Sequence, residues 1–241
     1  MSAHGDLTRG DSRLRIAPWR GDTTTAYLTP SRGRPTVASI ARSVEALSRA
    51  GYRTALTAAL APDDAAPFLH AGFSVHERLH LLVRTVDPPP TIDAQPAVIR
   101  RGRRADRSLL LAVDHAAFPS FWRLDEAALE DALTATPSVR LRVADPPGGG
   151  DGLAGYAITG RAGPRGYLQR LAVHPDAQRG GLGSALVSDA LRWLRRRGAR
   201  EVLVNTQEDN RAALALYESL GFRLQREGLA VLRRPVGRSL S

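Results

Sequence analysis

Between residues 165 and 197 the chain reads RGYLQRLAV, HPDAQRGGLG and SALVSDALRWLRRR in succession, and no other feature limits the possible folds as much. The first run reads as a strand. The last reads as a helix from Ser184 to Arg197, with Leu186, Ala190, Leu191 and Leu194 on one stripe and Arg192, Arg195 and Arg196 towards solvent. Gln178–Gly183 joins them with three glycines in four positions. Glycines let successive N–H groups turn towards one point, and the helix that follows adds its positive N-terminal end. That combination suits a pyrophosphate, with Arg179 as a mobile positive charge beside it; an ordinary flexible turn is the plain alternative. It is not a Walker A loop, because no Lys-Ser/Thr follows the last glycine, and not the dinucleotide fingerprint, because Leu186 stands where Gly or Ala is needed.

The rest of the chain alternates in the same manner. Residues 97–236 read as strand AVIRR, helices ADRSLLLAVDHAAF and LDEAALEDALTA, strands SVRLRVA and LAGYAIT, the segment above, strand REVLVNT and helix NRAALALYESLGF. QREGLAVLRR reads as a closing hairpin. The fold class is α/β with a mixed sheet. At 87–96, DPPPTIDAQP places four prolines in ten residues and reads as a linker. The expected domains are 1–86, the 87–96 linker and 97–236.

The net charge of +10 comes entirely from arginine, since the chain has no lysine, with clusters at Arg100–Arg104 and Arg195–Arg197. Solvated faces and an anionic partner both fit these runs. No nucleic-acid-binding signature accompanies them, so nucleic acid is not the expected partner. The absence of cysteine excludes disulfides and Cys-based metal sites, and no metal is expected. No apolar run approaches the ~20 residues of a membrane span, and the N-terminus lacks an apolar signal core. The expected location is cytoplasmic.

The block LQRLAVHPDAQRGGLGSALV, followed by VLVNT and NRAALALYESLGF, resembles the GNAT superfamily of acyl-CoA-dependent N-acetyltransferases. Its Q/R-x-x-G-x-G/A signature falls on Gln178 to Gly183, and its N-x-x-A-x-x-x-Y-x-x-x-G-F element on Asn210, Ala213, Tyr217, Gly221 and Phe222. The resemblance covers residues 97–235. It implies a mixed, mostly antiparallel twisted sheet flanked by helices, with acetyl-CoA or another acyl-CoA as co-substrate and a primary amine as acceptor. It implies that N–H groups of Arg179, Gly180, Gly181, Leu182, Gly183 and Ser184 hold the CoA pyrophosphate. The pantetheine arm would lie along Leu171, Ala172 and Val173 as an added strand, with the Val173 N–H polarising the thioester carbonyl. Asn210 would bond the arm, and Tyr217 would protonate the departing thiolate. Asn210 is also a good N-cap without any ligand, Tyr217 also fits a core position, and His174 reads as structural. Members often carry a Glu where Gln169 stands, and an amide takes no proton. Base duty then falls to a water chain, to Glu208 or Asp209, or to nothing.

Residues 50–84 run parallel to 197–234: Gly51 falls opposite Gly198, and Gly72-Phe73 opposite Gly221-Phe222. This reads as a repeat of the second half of the same fold. The first copy lacks the chemistry, with Phe68 opposite Tyr217, Ala61 and Pro62 opposite Asn210, and one glycine in SRGRPT. A degenerate, smaller α/β lobe is expected there, free to complete the fold, cover a sheet edge or shape the acceptor site. Two functions remain, an N-acetyltransferase working by direct attack and a non-catalytic acyl-CoA-binding module; a homodimer is an open possibility. The aromatics Phe118, Phe121 and Trp122 mark a candidate acceptor loop.

Overall fold

The structure, a computed structural model, describes residues 14–30, 33–88, 98–146 and 148–237. Most of the proline-rich stretch, residues 89–96, lies outside the described residues. The chain packs into two compact units. One draws on residues up to Leu81, Asn205–Asp209 and everything from Arg226; the other on Leu82–Val204 and Asn210–Gln225.

In the first unit, β1 (Leu14–Trp19) pairs antiparallel with β2 (Asp22–Pro30), and β2 runs parallel to β3 (Thr54–Thr57). The connection between β2 and β3 is α1 (Val37–Arg49), whose N-cap Thr36 accepts from the Ser39 N–H. Then come α2 (Pro62–His70) and β4 (Ser74–Thr85). Ile40, Leu47 and Phe68 from the helices close over Leu28 and Leu232, all fully buried.

The second unit holds β5 (Ile99–Arg101), α3 (Arg107–Ala117), α4 (Glu126–Thr134), β6 (Ser138–Ala144), β7 (Gly155–Ala162), β8 (Arg165–Val173), α5 (Leu182–Arg196), the part of β9 (Glu201–Gln207) up to Val204, α6 (Arg211–Ser219) and β10 (Arg223–Leu224). β5, β6, β7 and β8 are antiparallel neighbours, and β8 runs parallel to the start of β9. The core is layered on both faces. Leu186, Leu191 and Leu194 of α5 pack with Val204, Tyr217 and Phe222, while α3 and α4 bury Leu110, Val113 and Leu129 with Tyr156 and Ile158. The stripe read on the α5 sequence is therefore the buried one, and Arg192, Arg195 and Arg196 are exposed. Close packing of α5 on β8 depends on Gly166, where a Cβ would sit 2.6 Å from Leu194 Cδ1.

One expectation is overturned. QREGLAVLRR does not fold back on itself as a hairpin: β10 pairs with Leu82 and Val83 at the end of β4, whereas β11 (Leu229–Pro235) lies between β3 and the first part of β4. The exchange has a physical mark at two helix ends. The last carbonyls of α2 receive Arg234 from β11, not an arginine from β4, which follows α2 in sequence (Arg234 Nη1 to Ala71 O, 2.5 Å). Those of α6 receive Arg84 from β4 (Nη1 to Leu220 O, 2.5 Å). Helix α6 is thus closed by the strand that follows α2, and α2 by the last strand of the chain's described residues, an arrangement that local hairpin chemistry gives no hint of.

Candidate functional site

The glycine turn forms a cradle. Arg179 (φ 62°) and Gly181 (φ 80°) both take left-handed backbone, and Gly181 is the N-cap of α5 with no side chain bonded back to the helix. The Ala185 N–H already donates to Gly181 O (3.0 Å). The amides ahead of it, in Leu182, Gly183 and Ser184, are first-turn donors without an intrahelical acceptor. Arg179, Gly180 and Gly181 are exposed, and a Cβ added at Gly181 would meet nothing within 4 Å. What the sequence requires here is therefore conformation rather than room. The Gln178 side chain faces inward to its own loop, donating to Val173 O (3.1 Å). His174 caps a short 3-10 turn by accepting from the Asp176 N–H (3.4 Å), which is the structural part read for it. A cavity of about 550 Å³ borders the turn, lined by His174, Gln178, Gly180 and Leu182 with Leu109 and Val113 of α3.

Strand β8 is half unpaired. Its ladder with β9 covers only Arg165–Tyr167, opposite Glu201–Leu203. Beyond it the strand has a partner on the β7 side alone. The His174 N–H donates to Ala154 O (2.8 Å) on that side, and amide directions alternate along a strand. The N–H groups of Leu171 and Val173 therefore face away from β7, whereas that of Ala172 faces it. Gln169 is the extra residue of a bulge, since Ile158 pairs with Arg170 and Thr159 with Leu168. Its Oε1 is buried without a hydrogen-bond partner, and its amide packs so close to Gly160 that a Cβ there would lie 2.6 Å from Nε2.

Helix α6 starts at Asn210, whose Oδ1 accepts from the Ala213 N–H (3.0 Å), so the capping role read for Asn210 is real. Tyr217 is 5% exposed and stacks obliquely on Phe222, with ring centroids 5.6 Å apart. Its hydroxyl has no hydrogen bond within the described residues. Burial raises its pKa above the ordinary tyrosine value, opposed by the positive charge of Arg170. Glu208 and Asp209 pack with the first unit.

Beside the bulge lies a network that the sequence reading missed. Asp114 of α3 is fully buried and accepts from Tyr156 Oη (2.5 Å), Arg170 Nε (2.8 Å), Arg170 Nη2 (3.0 Å) and the Leu124 N–H (2.7 Å). Arg170 also donates to Trp122 O (2.6 Å) and stacks over Phe118, 3.6 Å from the ring centroid. The pair ties the aromatic loop to β8. Removing one partner would leave an uncompensated buried charge, which makes such pairs costly to break. Asp114 and Arg170 are 56 residues apart, with no local motif to connect them. Among the described residues no group of three or more potential metal ligands comes together, and no helix is long and apolar enough to cross a membrane.

Comparison with known proteins bears directly on this unit. Residues 123–222 match the model of the Acetyltransferase (GNAT) family. A mycothiol acetyltransferase of Geodermatophilus obscurus is 37% identical over 155 residues, covering 57% of this chain and 48% of the relative. The ribosomal protein bS18 alanine N-acetyltransferase of Escherichia coli is 43% identical over 70 residues, 29% of this chain and 47% of the relative. The chain thus spans about half the length of these curated relatives. In fold, a tandem GNAT protein from the clavulanic acid biosynthesis pathway superposes with a TM-score of 0.69 at 17% identity, over 94% of this chain and 79% of that one. The fold likeness therefore extends well beyond the residues that the family model matches.

Proposed function

We propose that residues 123–222, which match the Acetyltransferase (GNAT) family model, form an acetyltransferase domain, and that the protein transfers an acetyl group from acetyl-CoA to a primary amine by direct attack. The carrying observation is the cradle, a left-handed turn at Arg179 and Gly181 feeding the first-turn amides of α5. Backbone donors that converge at a positive helix end fit the two linked phosphates of a CoA. Arg179 to Ser184 would hold them. The outward amides of Leu171 and Val173 would bind the pantetheine arm, and Ala172, with its N–H committed to β7, would contribute only its place in the strand. Asn210 would keep its side chain on the helix and offer its remaining donors to the arm.

The acyl donor supplies a thioester carbonyl and a thiolate leaving group. The Val173 N–H would point at the carbonyl oxygen, where negative charge develops. Tyr217 would hold the proton that the leaving sulfur needs; its raised pKa keeps that proton in place, and its hydroxyl has no competing bond among the described residues. Gln169 cannot act as base, so the amine would arrive neutral or lose its proton to water. Phe118, Phe121 and Trp122, anchored by Arg170, would form a wall for the acceptor. One relative is named for mycothiol and another for an alanine of a ribosomal protein, so the acceptor could be a small primary amine or a peptide N-terminus. The first unit would be a degenerate copy without a cofactor site of its own, and the activity would be cytoplasmic, where the acyl donor is available.

The test combines thermal denaturation with a free-thiol release assay. At ~100 times its dissociation constant, acetyl-CoA should stabilise the fold by about 2.7 kcal/mol. Thiol release should exceed the hydrolytic background with at least one member of a panel of small primary amines and peptides with a free N-terminal alanine. Stabilisation without release from any of them would favour the binding module, and no stabilisation at all would refute both readings.

A further inference from the structure

The two arginine runs of the sequence meet in the second unit, at the far end of α5. Arg101, Arg103 and Arg104 come from the first run and Arg197 from the second, and all border one cavity of about 580 Å³ floored by Trp193 and Leu141. Pairing of β5 with β6 brings the first run there: Arg101 stands opposite Arg142, and the Gly102 N–H donates to Leu141 O (3.1 Å). Gly102 has no room for a side chain, since a Cβ would lie 2.4 Å from Leu141 Cγ. Helix α5 is 15 residues long, so this cavity lies about 20 Å along the helix from the glycine cradle at its start.

Charge in the cavity is unbalanced. No acidic side chain lines it. Arg107, also on the wall, is paired with Glu130 (2.5 Å), and Arg140 and Arg142 share Asp189 (3.1 and 3.2 Å). Among the described residues Arg101, Arg104 and Arg197 make no ion pair with an acidic group; Arg103 makes none either, although its backbone N–H donates to Asp106 Oδ2 (2.7 Å) and its charge helps Arg100 hold that carboxyl below its usual range. Arg100 of the same run differs, being tied to Asp106 and Asp145 and facing elsewhere. Even the shared aspartate falls short, because the buried Arg142 Nε and Asp189 Oδ2 both lack a hydrogen bond of good geometry. Arg140 shows the strain: burial lowers its pKa, and the neighbouring charges of Arg142 and Arg196 lower it further against the help of Asp189. Guanidinium groups converging on a concave, uncompensated pocket match phosphoryl oxygens, which they bind through paired charge-assisted hydrogen bonds. The volume suits a small molecule, whereas an extended nucleic acid calls for a stripe rather than a pocket.

We propose that this arginine-lined cavity is a second anion site, separate from the acyl-CoA cradle, that takes a small ligand bearing two or three linked phosphoryl groups. Inorganic tripolyphosphate is the probe, titrated calorimetrically into the full chain with saturating CoA present, so that the cradle is filled. The variant Arg103→Gln/Arg104→Gln removes two exposed lining charges that make no ion pair, and Arg192→Gln/Arg195→Gln removes two from outside the lining, Arg195 being paired with Asp87. Tripolyphosphate should bind the parent at one site and bind the lining variant about tenfold or more weakly, as expected for lost charge-assisted bonds. The outside variant should bind like the parent, and acetyl-CoA affinity should be the same in all three. An ATP arm separates the sources: tighter binding than tripolyphosphate means that a nucleoside contributes, and equal binding means that the phosphate chain alone is read. Equal loss in both variants would reduce the site to general positive charge and overturn the proposal, as would no loss in either or displacement of tripolyphosphate by CoA. Single-stranded RNA outcompeting tripolyphosphate with a steep salt dependence would overturn it in favour of a nucleic-acid partner.

Discussion

Helices α2 and α6 occupy matching places in two strand–helix–strand segments, and the two segments share several packing features. The glycine before each unit's strand is left-handed (Gly51, φ 86°; Gly198, φ 77°), and so is the one after each helix (Gly72, φ 82°; Gly221, φ 81°). An aromatic pair locks each helix to its exit, Phe68 with Phe73 at 5.3 Å and Tyr217 with Phe222 at 5.6 Å. An arginine closes each C-terminus, Arg234 on Ala71 and Arg84 on Leu220. They part at the residues with chemistry to offer. Helix α2 opens on Ala61, which makes no side-chain cap, and buries a phenyl ring; α6 opens on a capping Asn210 and buries a phenol. Scaffold and site are therefore separable. The features found in both segments hold the backbone, and the features found in one alone are those the proposed reaction needs.

Three substitutions probe that separation, the strongest first. Tyr217→Phe gives α6 the ring of α2. It should lower thiol release on the order of 10²-fold, the range of general acid catalysis, with acetyl-CoA binding and thermal stability unchanged; equal turnover would remove the phenol from the mechanism. The pH profile adds a sign. Because burial raises the Tyr217 pKa above its ordinary 10.0, the protonated donor persists up to that pH. Turnover of the parent should not decline below it through loss of this proton. Phe68→Tyr is the reverse exchange, in a fully buried position. A hydroxyl without a partner there should cost about 1–3 kcal/mol in chemical denaturation and add no activity. Asn210→Ala leaves α6 capped as poorly as α2 and should cost about 1 kcal/mol. A larger loss in acetyl-CoA affinity than in stability would show the side chain acting on the ligand as well as on the helix.

Local structure was legible in the sequence wherever it is local in the chain. The glycine turn, the Asn210 cap, the Tyr217 position and the α5 stripe each lie within one or two turns of backbone, and propensity and periodicity reach that far. The Asp114–Arg170 pair was not legible, because the packing of helix α3 on strand β8 brings together residues from separate elements and nothing near either one marks it. Strand β11 was misread for a related reason. Nearness in sequence favours a hairpin with β10, but β11 pairs Leu229 with Leu79 and buries Val231 and Leu232 between β3 and β4, and that burial decides the pairing. Arginine runs carried half of their meaning: their charge was plain, and their convergence on one cavity needed the β5–β6 register.

The most direct measurement is a calorimetric titration of the full chain and of Gly181→Asp with acetyl-CoA. A carboxylate at the start of α5 would occupy the anion position, and aspartate tolerates the left-handed backbone that the site requires. Circular dichroism confirms that the variant is folded, and Gly181→Ala reports the effect of strain without charge. The expected result is one equivalent bound by the parent, none by Gly181→Asp and weakened binding by Gly181→Ala. Two equivalents per chain, or undiminished binding by folded Gly181→Asp, would contradict a single phosphate cradle between Arg179 and Ser184.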